Sequence, residues 1–130
     1  MSLKQDRTLG DIAQNHVIPT AIKYQNVIIK NIKGMNDIMG KEAKSMASTQ
    51  YEILRKTANH INKLKESCDK MLEERKIANK IEGSEERAIV YCDKVKPYFT
   101  EIKYHSDKLE LLIDDELWPL PKLREILFTK

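Results

Sequence analysis

Two histidines are the residues whose type and spacing could support chemistry. His60 and His105 lie equally far in sequence from a predicted turn between residues 82 and 83, so they should be level on neighbouring helices. Imidazole is the commonest transition-metal ligand, and it can also relay protons. No carboxylate or cysteine is predicted to converge on the pair, so we expect two half-exposed histidines at the rim of the core rather than a metal site.

The two cysteines, Cys68 and Cys92, both fall on predicted packing seams, and they are offset by five residues relative to the same turn. Five residues of helix correspond to about 7.5 Å along the axis, which exceeds the separation of about 7 Å that a disulfide tolerates. We therefore predict two buried, free thiols.

A histidine on a helical bundle also suits phosphotransfer. Histidine phosphotransfer domains carry a lysine and then a small residue, usually glycine, shortly after the phosphoacceptor. Lys63 follows His60 at a fitting position, but the bulky Leu64 stands where the small residue belongs. A stand-alone helical signalling or adaptor bundle, with phosphotransfer through His60, is therefore the alternative interpretation of this chain.

Motifs of the common catalytic and nucleotide-binding sites are missing from the sequence. It contains no GxxxxGK phosphate loop, no GxGxxG, no HExxH and no CxxC pair. The Glu-x-x-His pairs of di-iron bundles are also absent, because Thr57 and Ile102 precede the two histidines by three residues. We predict no catalytic, cofactor-binding or metal-binding residue in this chain.

The composition indicates a single helical domain. The chain has 130 residues, and its 23 Lys+Arg and 20 Asp+Glu are interleaved, giving a net charge of only +3. This charge is too small and too scattered to predict a nucleic-acid or membrane partner. No apolar run is long enough for a transmembrane helix, no signal peptide opens the chain, and two cysteines make no disulfide framework. We expect a cytoplasmic protein.

The first predicted helix covers residues 8–33, and Pro19 should kink or break it near Val17. Gly34 and Gly40 are predicted to bracket an irregular segment. After the proline, apolar residues cover more than half of the helix circumference, more than one buried face requires. We therefore place Ile22 and Ile29 on a docking surface.

Two longer seams follow. In the second predicted helix, residues 41–81, packing residues recur at alternating steps of four and three, as in a heptad pattern. They are Ala43, Ala47, Gln50, Leu54, Thr57, Ile61, Leu64, Cys68, Met71, Arg75 and Ala78. Gly83 should end this helix and Ser84 should cap the next one. The third helix, which Pro97 should bend, continues the spacing through Ala88, Cys92, Val95, Phe99, Ile102, Ser106, Leu109 and Ile113.

These seams predict an all-α fold, an antiparallel up-and-down bundle of three to four helices. Residues 114–130 differ in character, since the segment Trp-Pro-Leu-Pro at 118–121 must be extended before each proline. We interpret residues 114–130 as a docking tail that uses Trp118, Leu120, Leu123 and Leu127. Whether this tail packs on its own bundle or on another domain stays open.

The end of the chain resembles a known family. Residues 115–121 (DELWPLP), followed by 124–128 (REILF), closely resemble the extreme C-terminus of type III glutamine synthetases. Residues 9–11, 15–19 and 24–26 are similar to the start of that family's C-terminal helical region. Leu123 replaces an aromatic residue of the family, which is a conservative change. Residues 1–3 are interpreted as an expression scar and residues 4–130 as one bundle domain, a fragment of a larger chain.

The resemblance implies a parent enzyme that ligates ammonia to glutamate with ATP and a divalent metal such as magnesium, in large ring-shaped homo-oligomers. The family's ATP, glutamate and metal ligands lie in an upstream catalytic domain, so no catalytic residue is carried over to this chain. The resemblance therefore implies a non-catalytic domain without cofactors of its own. Its expected partners are the upstream domain and neighbouring subunits.

Overall fold

The computed structural model describes residues 9–113, which form three antiparallel helical arms. The first arm is residues 9–39, the second arm is residues 43–79 and the third arm is residues 84–112. The described residues contain helices and turns and no strand, so the predicted all-α bundle is confirmed. The Trp-Pro-Leu-Pro segment lies outside the described residues.

The first arm passes Pro19 without a break. A π-helical turn, Ala13–Val17, leads into the α-helix Ile18–Met39, and the proline lies in the first turn of that α-helix. Proline has no amide hydrogen and its ring crowds the carbonyl four residues earlier, so a wider turn just before it relieves the clash. The predicted disruption near Val17 therefore takes the form of a π-turn within a continuous arm.

The first arm also ends later than predicted. Gly34 lies inside the α-helix, and the helix ends at Gly40, which has a φ of 62°. A positive φ costs a residue with a Cβ atom but costs glycine little, so Gly40 is the residue that can stop this helix. The expected irregular segment between Gly34 and Gly40 was therefore wrong.

The second arm begins with a 3₁₀ turn, Gly40–Glu42, and a short helix, Ala43–Met46, before the long helix Ser48–Asn79. The predicted seam is largely confirmed: eight of its positions are buried, and Gln50, Leu54 and Ile61 are half-buried. The buried positions are Ala43, Ala47, Thr57, Leu64, Cys68, Met71, Arg75 and Ala78.

The turn after the second arm differs from the prediction in two details. The long helix ends at Asn79, with Lys80 as its C-cap, and so stops before Gly83. Gly83 has an extended backbone, with φ −72° and ψ 124°, and is the N-cap of the next helix. Ser84 is the first helical residue and makes no side-chain capping bond. Glu85 and Glu86 lie in the first turn, where their charges favour the helix dipole.

The third arm contains a second π-turn near a proline. It consists of the helix Ser84–Val90, the π-turn Tyr91–Val95 and the helix Lys96–Leu112, with Pro97 in the first turn of the last helix. A π-turn adds a residue to one turn and rotates the preceding residues around the axis. Val95, Ile102, Ser106, Leu109 and Ile113 are buried as predicted, whereas Ala88 and Cys92 are exposed.

The buried residues form two clusters. The larger cluster, which we call the three-arm body, takes residues from all three arms. It consists of Leu9, Ala13, Val17, Ala21, Leu64, Cys68, Met71, Ala78, Val95, Ile102, Leu109 and Ile113. The smaller cluster, which we call the two-arm extension, is formed by the first and second arms around Ile28, Ile32 and Ala47. The two histidines, which lie on the second and third arms, belong to the three-arm body.

Candidate functional site

The two histidines of the sequence analysis meet at the rim of the three-arm body. The Nδ1 atoms of His60 and His105 are 2.9 Å apart, and the ring centroids are 5.2 Å apart with the planes tilted by 49°. Both residues are half-buried, as expected. The predicted level arrangement is therefore confirmed, and the structure adds a direct contact that the helix spacing alone did not imply.

This contact restricts the protonation of the pair. A hydrogen bond between two ring nitrogens requires one Nδ1–H to donate and the other Nδ1 to accept with its lone pair. Neutral His60 and neutral His105 must therefore be different tautomers. A single added proton leaves one acceptor, whereas two added protons leave none.

Tyr104 packs beside both imidazoles. Its ring lies edge-on to His105, at 5.0 Å between centroids and 83° between planes, and at 6.4 Å from His60. The Lys108 ammonium lies 5.5 Å from the centre of the Tyr104 ring, where the ring face attracts a cation. The Tyr104 ring thus contacts both imidazoles, and the Lys108 ammonium places a positive charge near the pair.

The surroundings disfavour a charge on either imidazole. Burial lowers the pKa of His60, and His105, Lys108 and Lys56 lower it further. Burial also lowers the pKa of His105; the Glu101 carboxylate acts in the opposite direction, and Lys63 adds to the lowering. Both groups are therefore held neutral below the pH at which a free histidine takes up a proton.

A polar groove of about 440 Å³ lies beside the pair, between the second and third arms. It is lined by Lys63, Glu66, Ser67, Lys70, Tyr98, Glu101 and His105. Within it Ser67 Oγ donates to Glu101 Oε2 at 2.9 Å, and Lys70 forms an ion pair with Glu66 at 3.2 Å. Four of the polar side chains that line the groove are therefore paired with one another.

Sequence reasoning missed the bond between Ser67 and Glu101. Ser67 follows His60 by seven residues, and Glu101 precedes His105 by four, so each lies on the same face of its helix as the histidine. The arithmetic that placed the histidines level would also have placed these two residues near each other. What it could not supply is the side-chain rotamers that bring the two oxygens into contact.

The two cysteines differ in burial. Cys68 is buried and Cys92 is exposed, and both thiols are free. Burial raises the pKa of the Cys68 thiol to about 11. The prediction of two free thiols is confirmed, but the prediction that Cys92 is buried was wrong, because the π-turn Tyr91–Val95 turns it away from the seam.

The predicted docking residues can be located in part. Ile22 and Ile29 are 46% and 37% exposed on the first arm. Trp118, Leu120, Leu123 and Leu127 lie outside the described residues. Residues 9–113 contain no group of three or more His, Cys, Asp or Glu side chains that could hold a metal ion. No helix in this range is long and apolar enough to cross a membrane.

Comparison with known proteins identifies the relatives of this chain. No protein-family model matches it. A glutamine synthetase of Bacteroides fragilis (strain YCH46) is 41% identical over 127 residues, which are 97% of this chain and 17% of that protein. A type-3 glutamine synthetase of Dictyostelium discoideum is 28% identical over 124 residues, which are 95% of this chain and 17% of that protein.

The resemblance to type III glutamine synthetases is confirmed. The similarity covers nearly all of the chain, so it includes the helical arms as well as the segment that first suggested the family. The chain spans about a sixth of the length of the curated relatives it matches, 17% in both cases. It is therefore related to a segment of a type III glutamine synthetase.

The surroundings of His60 bear on the phosphotransfer alternative. Leu64, which follows His60 by four residues, is fully buried in the three-arm body, so a core side chain stands where a phosphotransfer domain needs a small residue. The Nδ1 atom of His60 is also occupied by His105. Both observations weigh against the phosphotransfer alternative, in which a small neighbouring residue would keep the imidazole accessible.

Proposed function

We propose that this chain is a non-catalytic helical domain of a bacterial type III glutamine synthetase and acts through its surfaces. The parent reaction would be the ATP-dependent ligation of ammonia to glutamate, carried out by an upstream catalytic domain that holds ATP and a divalent metal. The bundle would contribute packing against that domain or against a neighbouring subunit in the cytoplasmic homo-oligomer. The relatives, in which this segment is a small part of a longer chain, support the proposal.

The observation that carries the surface role is the exposed aliphatic stripe on the first arm. Ile22 and Ile29 are separated by seven residues and so lie on one side of the helix, next to the buried stripe that contains Ala21, Ile28 and Ile32. Exposed isoleucines cost little singly, but a pair beside a core stripe extends an apolar face outward. A neighbouring domain that covered them would bury this face.

The first experiment replaces both residues by serine in the full-length enzyme. Ile22→Ser with Ile29→Ser should shift the enzyme to smaller oligomers in analytical ultracentrifugation, or lower its thermal stability, while the 130-residue chain carrying the same changes keeps its melting temperature. The matched control is Val27→Ser with Ile38→Ser. These aliphatic residues are 49% and 86% exposed. They lie on a different face of the same helix, at least about 140° around the axis from Ile22.

Two outcomes would contradict the surface role. Equal effects of the two double variants would mean that no particular face of the first arm docks. An equal loss of stability in the isolated chain and in the full-length enzyme would mean that the isoleucines stabilise this domain alone.

The tail needs its own test, because Trp118 and its neighbours lie outside the described residues. Trp118→Ala in the full-length enzyme should destabilise the oligomer if the tail docks on another domain. An unchanged oligomer together with a less stable isolated chain would instead place the tail on its own bundle. Leu120→Ala is a milder variant of the same test.

The phosphotransfer alternative has a direct assay. The folded chain is incubated with a small-molecule phosphodonor, and acid-labile phosphohistidine is sought at His60. We expect no label, because the Nδ1 atom of His60 is bonded to His105 and the buried Leu64 stands where the small residue belongs. Label at His60 that disappears in His60→Gln, with His16 unlabelled, would favour the signalling bundle instead.

A further inference from the structure

The contact between His60 and His105 joins two arms that are distant in sequence. His60 belongs to the second arm and His105 to the third, and their Nδ1 atoms are 2.9 Å apart. Neighbouring links between the same two arms are the bond from Ser67 to Glu101 and the packing of Ile102 and Leu109 in the core. A change in the histidine pair therefore acts directly on the arm–arm interface.

We propose that this pair is a proton-sensitive contact, which holds the third arm on the second arm only while at least one of the two imidazoles is neutral. In the neutral pair one ring donates and the other accepts. After one proton is added, the imidazolium donates to the remaining neutral ring, and the contact persists as a charge-assisted bond. After a second proton is added, two N–H groups and two positive charges face each other, and the rings must separate.

The charged groups around the pair set where this separation occurs. From the second arm, Lys56 acts on His60 and Lys63 acts on His105; from the third arm, Lys108 acts on His60. Glu101 is the carboxylate that acts on His105 in the opposite direction, and it is already bonded to Ser67. Positive neighbours outnumber the single negative one, so the second proton enters only in distinctly acidic solution.

The sign of the stability change follows from the lowered pKa values. The unfolded chain takes up protons near the ordinary histidine value of 6.5, while the folded pair resists them. The stabilisation is therefore fully present above pH 6.5 and decreases as the pH falls toward the lower pKa values of the folded state. Acidification should loosen the second and third arms before it affects the two-arm extension.

The test is an NMR titration of the three histidines of the 130-residue chain, in buffer that contains a chelator. We expect the resonances of His60 and His105 to change together in two steps, the second at a distinctly more acidic pH than the ordinary histidine value of 6.5. Independent titration of the two rings near pH 6.5 would overturn the proposal.

A second measurement covers the consequence for stability. The melting temperature of the chain should fall more steeply between pH 7 and pH 5 than that of His60→Gln or His105→Gln, because each variant cannot form the doubly charged pair. His16→Gln is the control and should keep the slope of the unmodified chain. Equal slopes for all four proteins would show that the pair does not couple protonation to folding.

Discussion

The three-arm body and the two-arm extension use the same kinds of helix but reach different degrees of burial. In the body, a third helix covers the second arm, and Leu64, Ile102 and Leu109 are completely buried. In the extension, Ile28 and Ile32 keep 9% and 6% exposure, and the small Ala47 is the completely buried member of the cluster. Two packed helices leave most of each circumference open, whereas three enclose a core. The large side chains that are completely buried therefore lie where three helices meet.

The polar contacts between arms also differ between the body and the extension. The body has the histidine pair and the bond from Ser67 to Glu101 across its second and third arms. In the extension, Gln50 Nε2 donates to Asn31 Oδ1 at 3.1 Å and lies 3.4 Å from Met35 Sδ. Exposed aliphatic residues such as Ile38, at 86%, also occur in the extension. Exposed apolar side chains also occur on the second and third arms, with Ile89 at 56% and Leu111 at 68%, so apolar surface for a neighbour is not confined to one part.

The largest expected difference concerns core truncation. Leu64→Ala should lower the free energy of unfolding by about 3 kcal/mol, because the enclosed body cannot collapse fully into the cavity. Ile32→Ala should cost less, about 2 kcal/mol, since the open extension can relax toward solvent. Chemical denaturation of both variants measures the difference. A larger cost at Ile32 would reverse the comparison between the two parts.

Thiol reactivity should report how often each part opens. Cys92 is exposed and should react at once with a thiol reagent at pH 8, whereas Cys68, with a pKa of about 11, should react at least about 100-fold more slowly. In a Cys92→Ser background, a new cysteine from Ala47→Cys should react faster than Cys68, because two packed helices should open locally at a lower free-energy cost than three. If the thiol at position 47 is as protected as Cys68, the two parts open as one unit.

Two glycines of the first arm give opposite effects. Gly34→Ala should stabilise the chain by about 0.5 to 1 kcal/mol, since Gly34 is inside the helix and a Cβ atom would meet nothing within 4 Å. Gly40→Ala should destabilise it by about 1 kcal/mol, because Gly40 has a φ of 62°. Thermal unfolding of the two variants measures both signs. Destabilisation by Gly34→Ala would mean that the helix ends earlier than in this structure.

The smallest effects are expected from single inter-arm hydrogen bonds. Ser67→Ala should cost about 1 kcal/mol, because it leaves the Glu101 carboxylate without its hydroxyl donor in the groove. Gln50→Ala should cost about 0.5 kcal/mol, since its bond to Asn31 is exposed to water. Double-mutant cycles with Glu101→Ala and Asn31→Ala isolate each bond. A stronger coupling for Gln50 would show that the extension depends on polar contacts more than the body does.

The periodic residues made most of the fold predictable. The four-and-three spacing from Ala43 to Ala78 requires a long helix with one packing face, whatever its neighbours are. The symmetry of His60 and His105 about the turn then follows from the constant rise of a helix. The level placement is confirmed, and the long helix is confirmed from Ser48 to Asn79, whereas Ala47 interrupts it near its start.

The errors occurred where a local signal competed with packing. Gly34 resembles a helix stop in the sequence, but the helix continues past it because Met35 packs with the residues around Ile32 and Ala47. Cys92 fits the seam of the third arm when residues are counted at 3.6 per turn, but the π-turn changes that count. Both prolines of the arms signal a disturbance, and neither reveals that it becomes a π-turn.

The sequence by itself determined the helical class, the positions of the long seams, the level placement of the two histidines and the relationship to type III glutamine synthetases. The tertiary structure decided where the π-turns fall, which cysteine is buried, and that two imidazoles make contact at 2.9 Å. The reason is physical. Periodicity fixes which face of a helix is apolar, but the rotation and rotamers at a contact depend on the packing of all neighbouring arms at once.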